Sequence, residues 1–246
     1  MTAIETKSLS KTYKVTRAVE DLNLTIEKGE LFALLGVNGA GKTTAIKMLS
    51  CLIKPTSGDA LLMGNSVVTS PLKVKEIINV SPQETAVAPN LSVRENLELM
   101  CGIYGYDSKR TQQMTDKVIS DFSLSEIEKS RARILSGGWQ RRLSIAMALI
   151  TEPEILFLDE PTLGLDVLAR RGLWRIIQEM KGRITILLTT HYLEEAEALA
   201  DRIAIMSRGR LVAVGTAAEL KELANASSFE DAFVALCEGE KTYENE

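Results

Sequence analysis

Apolar residues along this chain fall into short runs separated by longer stretches in which they recur at helical spacing. Residues 31–35, 77–80, 155–158, 184–188 and 203–206 are nearly continuous apolar runs. That pattern predicts strands covered on both faces, as in a parallel sheet. Three further runs alternate, 22–26, 60–63 and 211–214, each beside a glycine turn such as Lys28-Gly29-Glu30. These predict a small antiparallel layer with one wet face. The alternation of strands with helical stretches predicts an α/β fold built from crossover units with a mostly parallel sheet.

Between residues 84 and 135 the strand signal disappears. Ser92-Val93-Arg94-Glu95 has the spacing of a capping box, in which serine and glutamate satisfy each other's backbone donors at a helix start. Val93, Leu97, Met100 and Tyr104 follow on one helical face, and a second helix over 109–122 aligns Met114, Val118 and Phe122. The expected organisation is therefore an α/β core over 1–83 and 136–220, a helical subdomain inserted at 84–135, and a C-terminal helix and acidic tail over 221–246. Within the last segment, residues 238–246 are acidic and nearly free of apolar side chains, and are expected to fray.

The densest chemistry lies at the carboxyl end of the first continuous run. Gly36-Val37-Asn38-Gly39-Ala40-Gly41-Lys42-Thr43-Thr44 places G-x-x-x-x-G-K-[ST] between a strand and a helix expected from Thr43 to about Leu52. Glycines let backbone N–H groups close around β- and γ-phosphates, Lys42 adds a point charge, and the Thr43 hydroxyl can ligate Mg²⁺. The pattern predicts a P-loop NTPase core. The run at 155–158 ends in Asp159-Glu160, where Asp159 would hold Mg²⁺ through water and Glu160 would orient and deprotonate the attacking water. His191, the only histidine, and Gln83 each follow a predicted core strand. Open α/β sheets put their ligands at such ends, so His191 is read as a γ-phosphate contact and Gln83 as a contact to Mg²⁺ or the attacking water. Leu135-Ser136-Gly137-Gly138 precedes another helix and resembles half of a phosphate site, its first-turn N–H groups suited to an anion although no lysine accompanies them.

Bulk composition narrows the setting. With 246 residues, 45% of them hydrophobic, the chain can furnish a proper core, and no apolar run approaches the length needed to span a bilayer. The N-terminus has neither a basic start nor an apolar stretch, so no secretory signal is expected and the protein is read as cytoplasmic. Cys51, Cys101 and Cys237 are scattered and odd in number, which fits reduced thiols. A net charge of −4 with dispersed Arg-Arg pairs provides no basic stripe, so nucleic acid is not an expected partner.

In this order, the loop at 36–43, Gln83, Leu135–Gly138, Leu158-Asp159-Glu160-Pro161-Thr162 and His191 closely resemble the Walker A, Q-loop, signature, Walker B and switch-histidine elements of the ATP-binding cassette (ABC) ATPase family. The resemblance spans about residues 3–220. An Asn-Lys-x-Asp guanine-reading motif is absent, which disfavours a GTPase. The resemblance implies ATP and Mg²⁺ as ligands and a head-to-tail dimer. In such a dimer, Ser136 and the Gly138 N–H, with Gly137 between them, cap the ATP held by the partner's phosphate loop. It implies that Tyr13 stacks on adenine, that Leu165-Asp166 forms the loop passing between the two sites, and that Gln83 couples the site to the helical segment. That segment would receive an integral membrane subunit, placing the chain on the inner face of the membrane through its partner. Residues 92–105, 190–197 and 229–233 resemble the prokaryotic export branch associated with drug, antibiotic, lipid or polysaccharide efflux. The ATPase of a nutrient importer and a nontransport ABC switch remain open alternatives. Trp139, Leu163 and Val37 depart from the family's usual residues without removing a phosphate-binding group.

Overall fold

A computed structural model describes the backbone of residues 1–243 and the side chains of residues 1–238. Its strands are β1 (Thr2–Tyr13), β2 (Thr16–Glu27), β3 (Leu31–Leu35), β4 (Ser57–Leu62), β5 (Asn65–Ser66), β6 (Ile78–Ser81), β7 (Ile155–Asp159), β8 (Thr185–Thr190), β9 (Arg202–Ser207) and β10 (Arg210–Gly215). The α-helices are α1 (Lys42–Leu49), α2 (Pro71–Ile77), α3 (Val93–Ile103), α4 (Ser108–Asp121), α5 (Gly137–Leu149), α6 (Val167–Met180), α7 (Leu193–Leu199), α8 (Ala217–Leu223) and α9 (Phe229–Tyr243).

Among the described residues the strands form two sheets. The larger runs β10-β9-β3-β8-β7-β6, parallel from β9 to β6; the smaller, antiparallel, runs β2-β1-β4-β5. The continuous apolar runs are explained by burial on two sides. Every residue of β3, β7 and β8 is buried, and successive side chains serve different cores. Leu31, Ala33, Leu35, Leu156 and Leu158 join one cluster with Val93 and Leu97 of α3, Met114 and Val118 of α4, and Leu143 and Ile145 of α5. Phe32, Leu34, Ile155 and Phe157 face the other way, into a cluster with α1 and the antiparallel sheet. Phe32 and Phe157 are wholly buried there, each worth about 1.5–3 kcal/mol relative to exposure.

Several expectations need correction. Residues 211–214 do not belong to the antiparallel layer; β10 returns from β9 through the turn at Arg208-Gly209 and pairs with it at the edge of the large sheet. Alternation reports one wet face, which an edge strand of either sheet can have. Residue 77 ends α2 instead of opening β6, and α1 stops at Leu49, with Leu52 mostly exposed. The capping box at Ser92 forms as expected, with Glu95 N–H donating to Ser92 Oγ at 3.2 Å and Ser92 N–H to Glu95 Oε2 at 2.7 Å. The buried stripe of α3 runs through Val93, Leu97 and Cys101, while Tyr104 is exposed at its C-cap. Residues 238–243, expected to fray, are the last turns of α9; residues 244–246 of the expected tail lie outside the described residues.

Candidate functional site

The site forms where β3, β7 and β8 end together. The chain leaves β3 at Gly36, where a Cβ would lie 2.4 Å from the Met206 carbonyl oxygen, so no larger residue fits. At Gly41 the backbone has φ +104°, and a Cβ would meet the Ala18 carbonyl oxygen at 2.4 Å. These two glycines press the loop against β9 and β2 and turn it into α1. The first helical bond runs from Ala45 N–H to the Gly41 carbonyl at 2.9 Å, so the N–H groups of residues 42–44 precede the ladder, as first-turn groups do. Lys42 curls back over the loop. Its Nζ donates to the Gly36 carbonyl at 2.7 Å and the Val37 carbonyl at 3.3 Å, and lies 3.3 Å from Glu160 Oε1.

Glu160 is the pivot of the arrangement. It is buried, and its backbone sits in the left-handed region at φ +48°, a conformation that disfavours side chains by about 1–2 kcal/mol. Its N–H donates to both the Thr189 carbonyl and Thr189 Oγ1 at 3.1 Å, which holds the turn in place. The carboxylate then meets Lys42 through Oε1 and His191 Nδ1 through Oε2, the latter at 2.8 Å. A His191 that donates from Nδ1 leaves Nε2 directed elsewhere as a second proton-handling atom. Asp159 points the other way: its Oδ1 accepts from Thr189 Oγ1 at 2.6 Å and from Thr43 Oγ1 at 3.3 Å.

Thr43 and Asp159 thus bring a hydroxyl and a carboxylate oxygen together beside the phosphate loop. This all-oxygen set with few protein ligands fits Mg²⁺, which favours one or two carboxylates plus substrate phosphates and water.

One cavity of about 690 Å³ collects residues 38–44 with Gln83, Glu160 and His191. Gly36 and Asp159 are buried. Tyr13, 45% exposed, stands apart from the cavity lining, with Lys11 Nζ 5.3 Å from its ring centroid. Ser136, Gly137 and Gly138 do not line it either. They start α5 on the surface; Ser136 takes the N-cap position, yet its side chain makes no capping bond, unlike Ser92, Asp107, Asp166 and Thr216.

The sequence reading missed Thr16, Arg17, Ala18 and Arg208, all on the cavity wall. Arg208 follows the carboxyl end of β9, the same topological cue that singled out His191 and Gln83. Residues 16–18 come from the antiparallel sheet, for which no such cue exists. Also missed was Glu195, in the first turn of α7, four residues after His191. It is fully buried, accepts from Trp174 Nε1 at 3.0 Å, and burial pushes its carboxyl above the usual carboxylate range, with Glu160 adding to the rise.

Comparison with known proteins places this geometry. The family described as ABC transporter matches residues 19–163. Over 220 residues the chain is 42% identical to the daunorubicin/doxorubicin resistance ATP-binding protein DrrA of Streptomyces peucetius, covering 89% of this chain and 67% of that protein. It is likewise 42% identical over 249 residues to ABC transporter A family member 2 of Arabidopsis thaliana, covering 95% of this chain but only a quarter (25%) of that relative's length. Among solved structures, the dimeric post-hydrolysis state of the ATP-binding cassette MJ0796 bound to ADP and Pi superposes with a TM-score of 0.77 at 25% identity, covering 87% of this chain and 98% of that one.

Proposed function

The chain belongs to the ABC transporter family and is one of its ATP-binding ATPases, and from that premise we propose that it is the nucleotide-binding subunit of an exporter. Two copies close head to tail on ATP and drive separate membrane subunits that move a drug, antibiotic, lipid or polysaccharide. The likeness to a drug-resistance ATP-binding protein across most of the chain supports export, and no helix among the described residues is long and apolar enough to cross a membrane. In this reading the membrane partner forms the channel, and the chain sits at the inner membrane face through it. Residues 84–135 act as the inserted helical subdomain that meets that partner, with Gln83 at the junction.

The observation that carries the reading is a separation. The phosphate loop, Gln83, Glu160 and His191 converge on one cavity, while the Ser136–Gly138 turn stands outside it with an uncommitted serine hydroxyl. A second copy supplies the missing wall, its Ser136 and Gly138 N–H reaching the γ-phosphate at the N-terminus of its α5. Tyr13 takes the adenine, and the N–H groups of residues 38–44 and Lys42 hold the phosphates. Mg²⁺ held by Thr43, Asp159 and Gln83 would neutralise charge on the β- and γ-phosphate oxygens. Glu160 takes a proton from water as its oxygen attacks the γ-phosphorus and the bond to ADP breaks. His191, paired to Glu160, contacts the γ-phosphate and keeps the carboxylate aimed.

Complementation between two inactive variants tests this. Ser136→Arg lacks the cap and Lys42→Ala lacks the phosphate charge, so each homodimer has two defective sites. A mixed dimer restores one intact site, because the loop of one chain meets the cap of the other. Hydrolysis should therefore reappear on mixing; a mixture as inactive as its components would refute the shared site. Co-purification with a multi-span membrane protein and ATP-dependent efflux in vesicles tests the export assignment.

A further inference from the structure

A buried cation lies behind the reacting groups. Arg141, on the second turn of α5, is 5% exposed, although α5 opens on the surface at Ser136. Its Nε donates to the Pro161 carbonyl at 2.8 Å and one terminal nitrogen to the Asp159 carbonyl at 2.7 Å. The other terminal nitrogen donates to the Pro82 carbonyl and, at 3.3 Å, to the Gln83 carbonyl. Among the described residues, no carboxylate pairs with it directly. Four carbonyls from two chain segments share one guanidinium.

Those carbonyls sit where the ladder between β6 and β7 stops, although β7 stays paired with β8 through Asp159 and Thr189. The parallel register of β6 and β7 runs from Ile78↔Ile155 to Ser81↔Leu158, and the next rung would join Pro82 to Asp159. Pro82 has no N–H to give, so the ladder ends. Arg141 takes over at that level, bonding the Pro82 and Asp159 carbonyls itself. It then holds Gln83 on one side, and Asp159 and Pro161, which flank Glu160, on the other. On the far side of Glu160 the contact is to β8 through Thr189. The left-handed turn at Glu160 is thus pinned from two directions.

We infer that Arg141 is a positioning residue, a guanidinium rung that fixes Glu160 and Gln83 relative to each other and ties both to the helix presenting Ser136–Gly138. A planar fork is required, since a lysine ammonium cannot reach carbonyls on both segments at once. Burial lowers the Arg141 pKa to about 10, which leaves it charged at neutral pH, and Asp159, Glu195 and Glu160 counter the fall. The inference rests on the reading of Glu160 as the base.

The test is a double-variant cycle on the full chain, using Arg141→Lys, Arg141→Gln, Glu160→Gln and the combinations. Arg141→Lys keeps charge and bulk and serves where Arg141→Gln folds poorly. Nucleotide Kd, kcat and single-turnover hydrolysis are measured on protein checked by melting temperature. A geometric fault at the base costs on the order of ten- to a hundredfold. Arg141→Lys should therefore lower kcat by about tenfold or more while the nucleotide Kd moves less than about threefold. In the Glu160→Gln background the same change should lower residual hydrolysis by a clearly smaller factor, because no base remains to misplace and only the Gln83 side of the rung is felt. A native kcat in Arg141→Lys, or equal fold losses in both backgrounds, would overturn the positioning role. A Glu160→Gln variant that turns over at the native rate would instead sink the base assignment, so the two failures are distinct.

Discussion

Replacing Glu160 by glutamine separates the chemistry of this position from its scaffold. The backbone of residue 160 is held through its own N–H by Thr189, contacts that do not involve the side chain. Lys42 keeps its bonds to the Gly36 and Val37 carbonyls, and His191 can still donate to a glutamine oxygen. What disappears is the charge and the basicity. General-base catalysis is worth about 10²–10⁴ in rate, or roughly 3–5 kcal/mol of barrier, so single-turnover hydrolysis should fall by that factor. Binding should move the opposite way. At 3.3 Å the Glu160–Lys42 attraction is about 1 kcal/mol in water-like surroundings and about 5 kcal/mol at an effective dielectric of 20, partly cancelled by desolvation. Without the carboxylate, Lys42 is available to the triphosphate and a buried negative charge no longer faces it. Nucleotide Kd, followed by titration calorimetry, should be equal to or lower than native, and gel filtration with ATP should show a long-lived dimer. Hydrolysis within about threefold of native would refute the base assignment. Loss of binding would show that the carboxylate serves the fold of the loop instead.

Gly41→Ala adds a Cβ at φ +104° that meets the Ala18 carbonyl oxygen at 2.4 Å, so stability should fall by at least about 2 kcal/mol, or roughly 4–8 °C in Tm. A thermal melt unchanged from native would show that the loop relaxes freely. Glu195→Gln keeps an acceptor for Trp174 but cannot ionise. Because burial raises the Glu195 pKa, the folded state holds that proton more tightly than the unfolded one, and native stability falls as pH rises from the usual carboxylate range through the raised value. The Tm advantage of Glu195→Gln over native should therefore widen from pH 5 to pH 8; melting temperatures that run parallel across that range would contradict a strained buried acid.

What the sequence determined by itself is what local backbone physics dictates. Short, near-continuous apolar runs spaced between helical stretches fit strands covered on both faces, so five of the six strands in the large sheet were legible, as was the Ser92 capping box. Glycine spacing before Lys42-Thr43 reports a loop shape that few other residues could adopt. The carboxyl-end rule brought out His191 and Gln83 because a parallel sheet opens its crevice there. Tertiary structure decided everything that depends on which segments meet. The edge position of β10 follows from a two-residue return beside β9, and alternation alone does not distinguish one edge from another. The contacts of Glu160 with Lys42 and His191 join three strand ends far apart in the chain, and Arg141 reads in sequence as one of two adjacent surface arginines. Its burial arises only because β6 and β7 end side by side at a proline that cannot continue the ladder. Periodicity records which face of an element is dry. Long-range burial and pairing determine what lies against that face, and no window along the chain contains both partners.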